Sequence, residues 1–181
     1  VLGVGGANFS LMMFRASPFG PFLALIALGN DDPLDQQKFA ALVQPSFDRV
    51  DPLTYAPYVT GTPLPGGPTD RRVLMHVGVA DASVPNLATY YHARVLGLPV
   101  VEGTAAAVPL GLDVAPAPVN GSAFNIFDFG IAPHVEATPP PEGNDVHEMV
   151  RRLAASKAQV SAFLTPAGVI EQTCSGVCDP E

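Results

Sequence analysis

Positive charge is scarce in this chain of 181 residues: nine Lys and Arg stand against seventeen Asp and Glu, for a formal net charge of −8. No basic cluster exceeds the pairs Arg71-Arg72 and Arg151-Arg152. A phosphate backbone needs a stripe of cations, so a nucleic-acid partner is excluded. Long apolar runs are also lacking. Arg15, Pro18, Gly20 and Pro21 interrupt the richest one, and no span reaches the roughly eighteen residues that a membrane helix requires. A dinucleotide fingerprint is incomplete, because Asn8 stands where G-x-G-x-x-G needs its last glycine after Gly3 and Gly5. No cofactor is therefore expected. Cysteine is limited to Cys174 and Cys178. Their C-x3-C spacing could be half of a zinc site, but no second pair and no nearby histidine complete it, so no metal is expected. The other reading is a small disulfide-closed tail at 174–178, worth only about 2 kcal/mol for so short a ring. It would place the protein in an oxidising, extracytoplasmic compartment, secreted or periplasmic.

What is present is apolar. Hydrophobic residues make up 48% of the chain and charged ones 14%, enough for one sizeable core. The rest is organised around residues 72–97. From 73 to 80 the side chains are mostly apolar without alternation, which predicts a strand covered on both faces, as in a parallel sheet. Asp81 falls where that strand ends, at the sheet edge where ligands and catalytic groups collect. The alternative role for such an acid is to cap a turn. Leu87, Tyr91 and Val95 recur at helical spacing, and Gly97 supplies a stop. The predicted class is α/β, with mainly parallel strands and flanking helices.

Before this centre, residues 9–28 predict a helix covering the core. The sharper reading is that Phe9, Met12, Met13 and Phe14 line an apolar surface for an acyl chain or polymer. Asp32 and Pro33 predict a helix start, Phe39, Leu42 and Val43 its buried stripe, and Pro45 its end or kink. Five prolines between 51 and 70 predict an irregular connection. After the centre come a short re-entry at 99–101, a small-residue loop at 104–121, a strand at 124–129 and a polar loop at 130–146. His147 then opens a helix with Met149, Leu153, Val160 and Leu164 on one face.

Gly78, Asp81, Val84 and Pro85 spell G-x-x-D-x-x-V-P after a buried strand and before a helix. This resembles the segment of α/β-hydrolases that carries the acid of the Ser-His-Asp triad. The resemblance implies that Asp81 orients an imidazole through its Nδ1-H. A histidine between a last strand and a last helix is where that family places its general base, which implies His147. His134, in the loop before it, is the second choice; His76 reads as core and His92 as mid-helix. The order acid, histidine, closing helix and C-x3-C tail is similar to the C-terminal half of secreted bacterial α/β-hydrolases of the esterase and lipase type.

No G-x-S-x-G nucleophile elbow occurs here, and Ser10, Ser17 and Ser83 lack its flanking glycines. The segment VLGVGG resembles the strand that follows the nucleophile helix in such enzymes. The expectation is thus a single partial domain, residues 1–181, that acts as an ester hydrolase only with the N-terminal part of the same hydrolase. That part would bring the nucleophile, the oxyanion hole and the first strands, and the substrate would be an apolar ester or polyester. From a different class, the alternative is a non-catalytic binding or assembly module with hydrolase architecture.

Overall fold

Residues that alternate between two apolar faces need cover on both sides, and the sheet at the centre of this molecule has it. A computed structural model describes residues 1–179. Its strands are β1 (Leu2–Gly3), β2 (Leu74–Gly78), β3 (Val100–Val101), β4 (Val114–Ala115) and β5 (Ala123–Phe127). They form one sheet in the order β1-β2-β5-β3-β4, with every pairing parallel. All residues of β2 and β5 are buried, which is why neither strand alternates in sequence. The helices are α1 (Phe9–Arg15), α2 (Gly20–Ala27), α3 (Pro33–Phe47), α4 (Pro52–Ala56), α5 (Asn86–Val95), α6 (Val146–Arg152) and α7 (Ala154–Phe163). The fold is α/β.

Strand alternation sorts the core into two layers. Met75 and Val77 of β2 join Phe124 and Ile126 of β5 in a cluster with Ala93 and Leu96 at α5. Leu74 and Ala123 pack instead with Phe163 of α7, and Phe127 with Val146 and Val150 of α6. His76 points to this second layer and is buried in the core. Its Nε2 meets Gln159 Oε1 at 2.7 Å and its Nδ1 meets Ser156 Oγ at 3.0 Å. Gln159 Nε2 in turn donates to Asn125 Oδ1 at 3.0 Å. Burial outweighs the Gln159 hydrogen bond and pushes the His76 pKa down to about 4, so the core holds a neutral imidazole.

Several local expectations are corrected. Residues 9–28 do not form one core helix: Ala16 is extended, and a 3-10 turn at Ser17–Phe19 separates α1 from α2. Helix α2 buries no residue, and Phe22, Leu25 and Leu28 are exposed. Asp32 does cap α3, accepting from Leu34 N at 2.7 Å. Pro45, however, lies inside the helix, which runs on to Phe47. Its Phe39 and Leu42 are exposed and Ala40 is the buried residue. The reason is position: α2 and α3 lie off the sheet and pack on α1, so only the inner side of α3 is covered. Residues 51–70 are partly regular, because Pro52 and Pro57 sit in first turns, of α4 and of a π-helical turn at Pro57–Gly61, where proline is tolerated.

Helix α5 turns a smaller face inward than the spacing of Leu87, Tyr91 and Val95 predicts. Ala88, Thr89, His92 and Ala93 are buried, whereas Leu87 and Tyr91 are exposed. Small side chains let this helix sit close to its neighbours. A Cβ on Gly6 would come within 3.3 Å of Ala88. The closing helix is two, because Leu153 is extended between α6 and α7. Val146 and Val150 are the fully buried residues of α6, Met149 and Leu153 pack beside them, and Leu164 is exposed beyond α7.

Candidate active site

The carboxyl end of β2 is where the chain must leave the sheet, and it does so through a turn with Ala80 at φ 65. A left-handed alanine is costly, by roughly 1–2 kcal/mol, so neighbouring groups must hold it. Asn86 Oδ1 accepts from Ala80 N at 2.8 Å, while Asn86 Nδ2 donates to Gly78 O at 2.7 Å. Asp81 follows, with its side chain 1% exposed. Its two oxygens have different tasks. Oδ1 accepts from the amides of Ser83 at 2.8 Å and Val84 at 3.0 Å, which closes the turn into α5. Oδ2 is left for a partner from elsewhere. Capping the turn therefore occupies only one of the two carboxylate oxygens.

That partner is His147, 66 residues later, whose Nδ1 lies 2.9 Å from Asp81 Oδ2. A carboxylate accepts only, so Nδ1 carries the proton and donates it. In the neutral ring Nε2 then holds the lone pair. Among the described residues nothing hydrogen-bonds Nε2, and the His147 side chain is 26% exposed. Its position follows from packing one residue earlier. Val146 and Val150 of α6 rest on Gly78, where an added Cβ would fall 2.8 Å from Val150 Cγ2 and closer still to Val146 Cγ1. Glycine at the end of β2 thus lets α6 approach until His147 reaches the acid. From beneath, Cys178 packs in the same cluster as Val146 and Val150.

None of the other histidines hydrogen-bonds Asp81 or His147 among the described residues. His134 is exposed and its Nε2 meets Thr138 Oγ1 at 3.1 Å. His92 is buried, its Nδ1 has no hydrogen-bond partner, and burial pushes its pKa below the ordinary value against the pull of Asp51. None of the Ser, Thr or Cys side chains among the described residues hydrogen-bonds His147. Ser10 Oγ donates to Asn8 Oδ1 and Ser17 Oγ to Ala82 O. Beside Asp81 opens a cleft of about 690 Å³, lined by Arg15, Asn86, His134 and Asn144 among others.

The four apolar residues read as a substrate surface separate. Phe14 is buried, which removes it from any such surface. Phe9 stacks on Phe47 at 5.1 Å between ring centroids. Met12 turns toward Gly6, its Sδ within 3.3 Å of where a Cβ would stand. Met13 alone of the four lines an apolar groove of about 360 Å³, with Phe22, Leu25, Phe39 and Phe47.

Three features escaped the sequence. Asp51 is fully buried and accepts from Asn8 N, Phe9 N, Leu53 N and Gln44 Nε2, each at 2.9 Å, tying the start of α1 to α3 and α4. Burial pushes its pKa up, but these hydrogen bonds together hold it below the ordinary carboxylate value. Asn86 and Asn144 are the other two. A polar residue in a loop or at a helix start carries no periodic pattern, and only the Asp-Pro at 51–52, a helix-start signal, offered a mark for one of the three. No protein-family model, curated protein or solved structure matches the chain. Cys174 and Cys178 are joined as a disulfide, which excludes the zinc half-site and is compatible with an extracellular location.

Proposed function

We propose that this chain is the acid-and-base part of a serine hydrolase acting on carboxylic esters, of the α/β-hydrolase type. The observation that carries the reading is the 2.9 Å bond between His147 Nδ1 and Asp81 Oδ2 at the carboxyl edge of a parallel sheet. In this reading Asp81 fixes the tautomer and stabilises the imidazolium. His147 Nε2 takes the proton of a serine hydroxyl as its oxygen bonds to the ester carbonyl carbon. It returns that proton to the departing alkoxide, and a water repeats the sequence on the acyl-enzyme.

The serine and the oxyanion donors come from a polypeptide segment outside the 181 residues, the N-terminal part of the same hydrolase. Two observations support this. His147 Nε2 is without a hydroxyl partner among the described residues, and β1 ends the sheet order with its outer edge unpaired there. The apolar groove at Met13 and the exposed Phe22 and Leu25 support an apolar acyl or polyester substrate. The disulfide supports secretion or a periplasmic location. A fluorophosphonate probe tests the reading: applied to the chain joined to an upstream segment bearing G-x-S-x-G, it should label one serine, with labelling dependent on His147. Labelling that is indifferent to His147→Ala would leave the non-catalytic module as the better reading.

A further inference from the structure

We infer that Asn144 is a positioning residue of the Asp81–His147 pair, a side chain outside the pair that fixes the histidine segment to the acid turn. The left-handed turn at Ala80 leaves the peptide groups of Ala80 and Ala82 without strand partners. Asn86 satisfies the Ala80 amide, but it lies in the helix that directly follows and so closes the turn only on itself. Asn144 arrives from 64 residues away. Its Nδ2 donates to Ala80 O at 2.8 Å, and its Oδ1 accepts from Ala82 N at 3.5 Å and from Val146 N at 3.3 Å. One amide group thus holds the residue before Asp81, the residue after Asp81 and the residue before His147. Among the described residues, the bond from His147 to Asp81 is the only other side-chain hydrogen bond between the two segments.

The distances rank these contacts. The 2.8 Å donation to Ala80 O is well formed, whereas the two acceptances are long, so the donor does most of the holding. Only a side chain with a donor and an acceptor on one short stem fills this place. Aspartate has the same shape and keeps the acceptor, but it sets an oxygen against the Ala80 carbonyl. Without Asn144 the two loops are joined by the Gly78–Val146 packing and by the catalytic bond itself, which must then do the positioning it is meant to benefit from.

The inference rests on the proposed function for its catalytic meaning, while the coupling can be measured without any reaction. In the full chain labelled with nitrogen-15 at histidine, the His147 Nδ1-H proton should give a resonance protected from exchange with water. Asn144→Ala should speed that exchange roughly tenfold, the scale of losing one hydrogen bond. Asn144→Asp should do the same, which guards against a fold lost through the missing side-chain volume. Val101→Ala, a core substitution in β3, lowers stability without touching either loop and should leave the exchange unchanged. Equal protection in wild type and both Asn144 variants would overturn the inference and leave the proposed function standing. A wild-type protein with no protected His147 proton would sink both. Normal Asn144 dependence together with no hydrolysis, even with the nucleophile supplied, would sink the proposed function alone.

Discussion

Replacing Gly78 with alanine places one methyl group where the structure has least room for it. The new Cβ would stand 2.8 Å from Val150 Cγ2 and nearer still to Val146 Cγ1. Both valines are fully buried, and β-branched side chains have few rotamers to retreat into. Overpacking of this kind costs about 1–3 kcal/mol. The smaller entropy of an unfolded alanine offsets roughly 0.4–1 kcal/mol of it, so a net loss of about 1–2 kcal/mol is expected in urea denaturation. The functional effect should be larger than the stability effect. Val146 adjoins His147, and α6 can relieve the clash only by moving off the strand, which draws the imidazole away from its 2.9 Å contact with Asp81. A displacement of about 1 Å at a catalytic group is worth on the order of 100-fold in rate. The assay is the His147 Nδ1-H resonance of the chain and, under the proposed function, ester hydrolysis by the chain joined to a nucleophile-bearing segment. Val146→Ala in the same molecule removes the closer of the two clashes and should restore the resonance in large part. A folded Gly78→Ala protein with an undisturbed His147 resonance, or one that Val146→Ala does not rescue, would refute the reasoning.

Acid should weaken the fold through His76. Its folded pKa of about 4 lies below the ordinary 6.5, so the unfolded state binds the extra proton between these values. The stabilisation is complete above pH 6.5 and is lost as pH falls toward 4, amounting to about 3 kcal/mol across the window. Urea midpoints at pH 7 and pH 4.5, compared between wild type and His76→Gln, should show this component only in the wild type. Reduction of Cys174–Cys178 should lower stability by about 2 kcal/mol. Thiol titration should find no free thiol before reduction, and denaturation with and without reductant gives the energy.

The sheet was legible where burial is two-sided. Residues 73–80 and 124–129 announced β2 and β5 because both faces need apolar side chains, and Asp81 was visible because an acid ends such a run. Helices α3, α5 and α6 were legible in type and less so in facing, whereas α4 was hidden by the prolines of 51–70, which sit in first turns. In α5 large residues at 87, 91 and 95 dominate the pattern, yet Ala88 and Ala93 decide the packing because close approach favours small side chains. In α3 the apolar stripe marks a surface, since the helix packs on α1 and not on the sheet. The contact between Asp81 and His147 was foreseeable only through a resemblance; no spacing of 66 residues implies proximity. Asn144 was illegible altogether, because its importance lies in the carbonyl and amides it meets, and those are set by a turn that forms 64 residues earlier.

The central claim is that His147, held by Asp81, acts as the base for a serine supplied by another segment. The measurement that tests it most directly is kcat for hydrolysis of a p-nitrophenyl ester by the chain joined to its nucleophile-bearing segment, before and after His147→Ala. Triad members act as a unit, so kcat is expected to fall by about 10⁴–10⁶ with the fold intact. Hydrolysis that survives His147→Ala within tenfold would contradict the account.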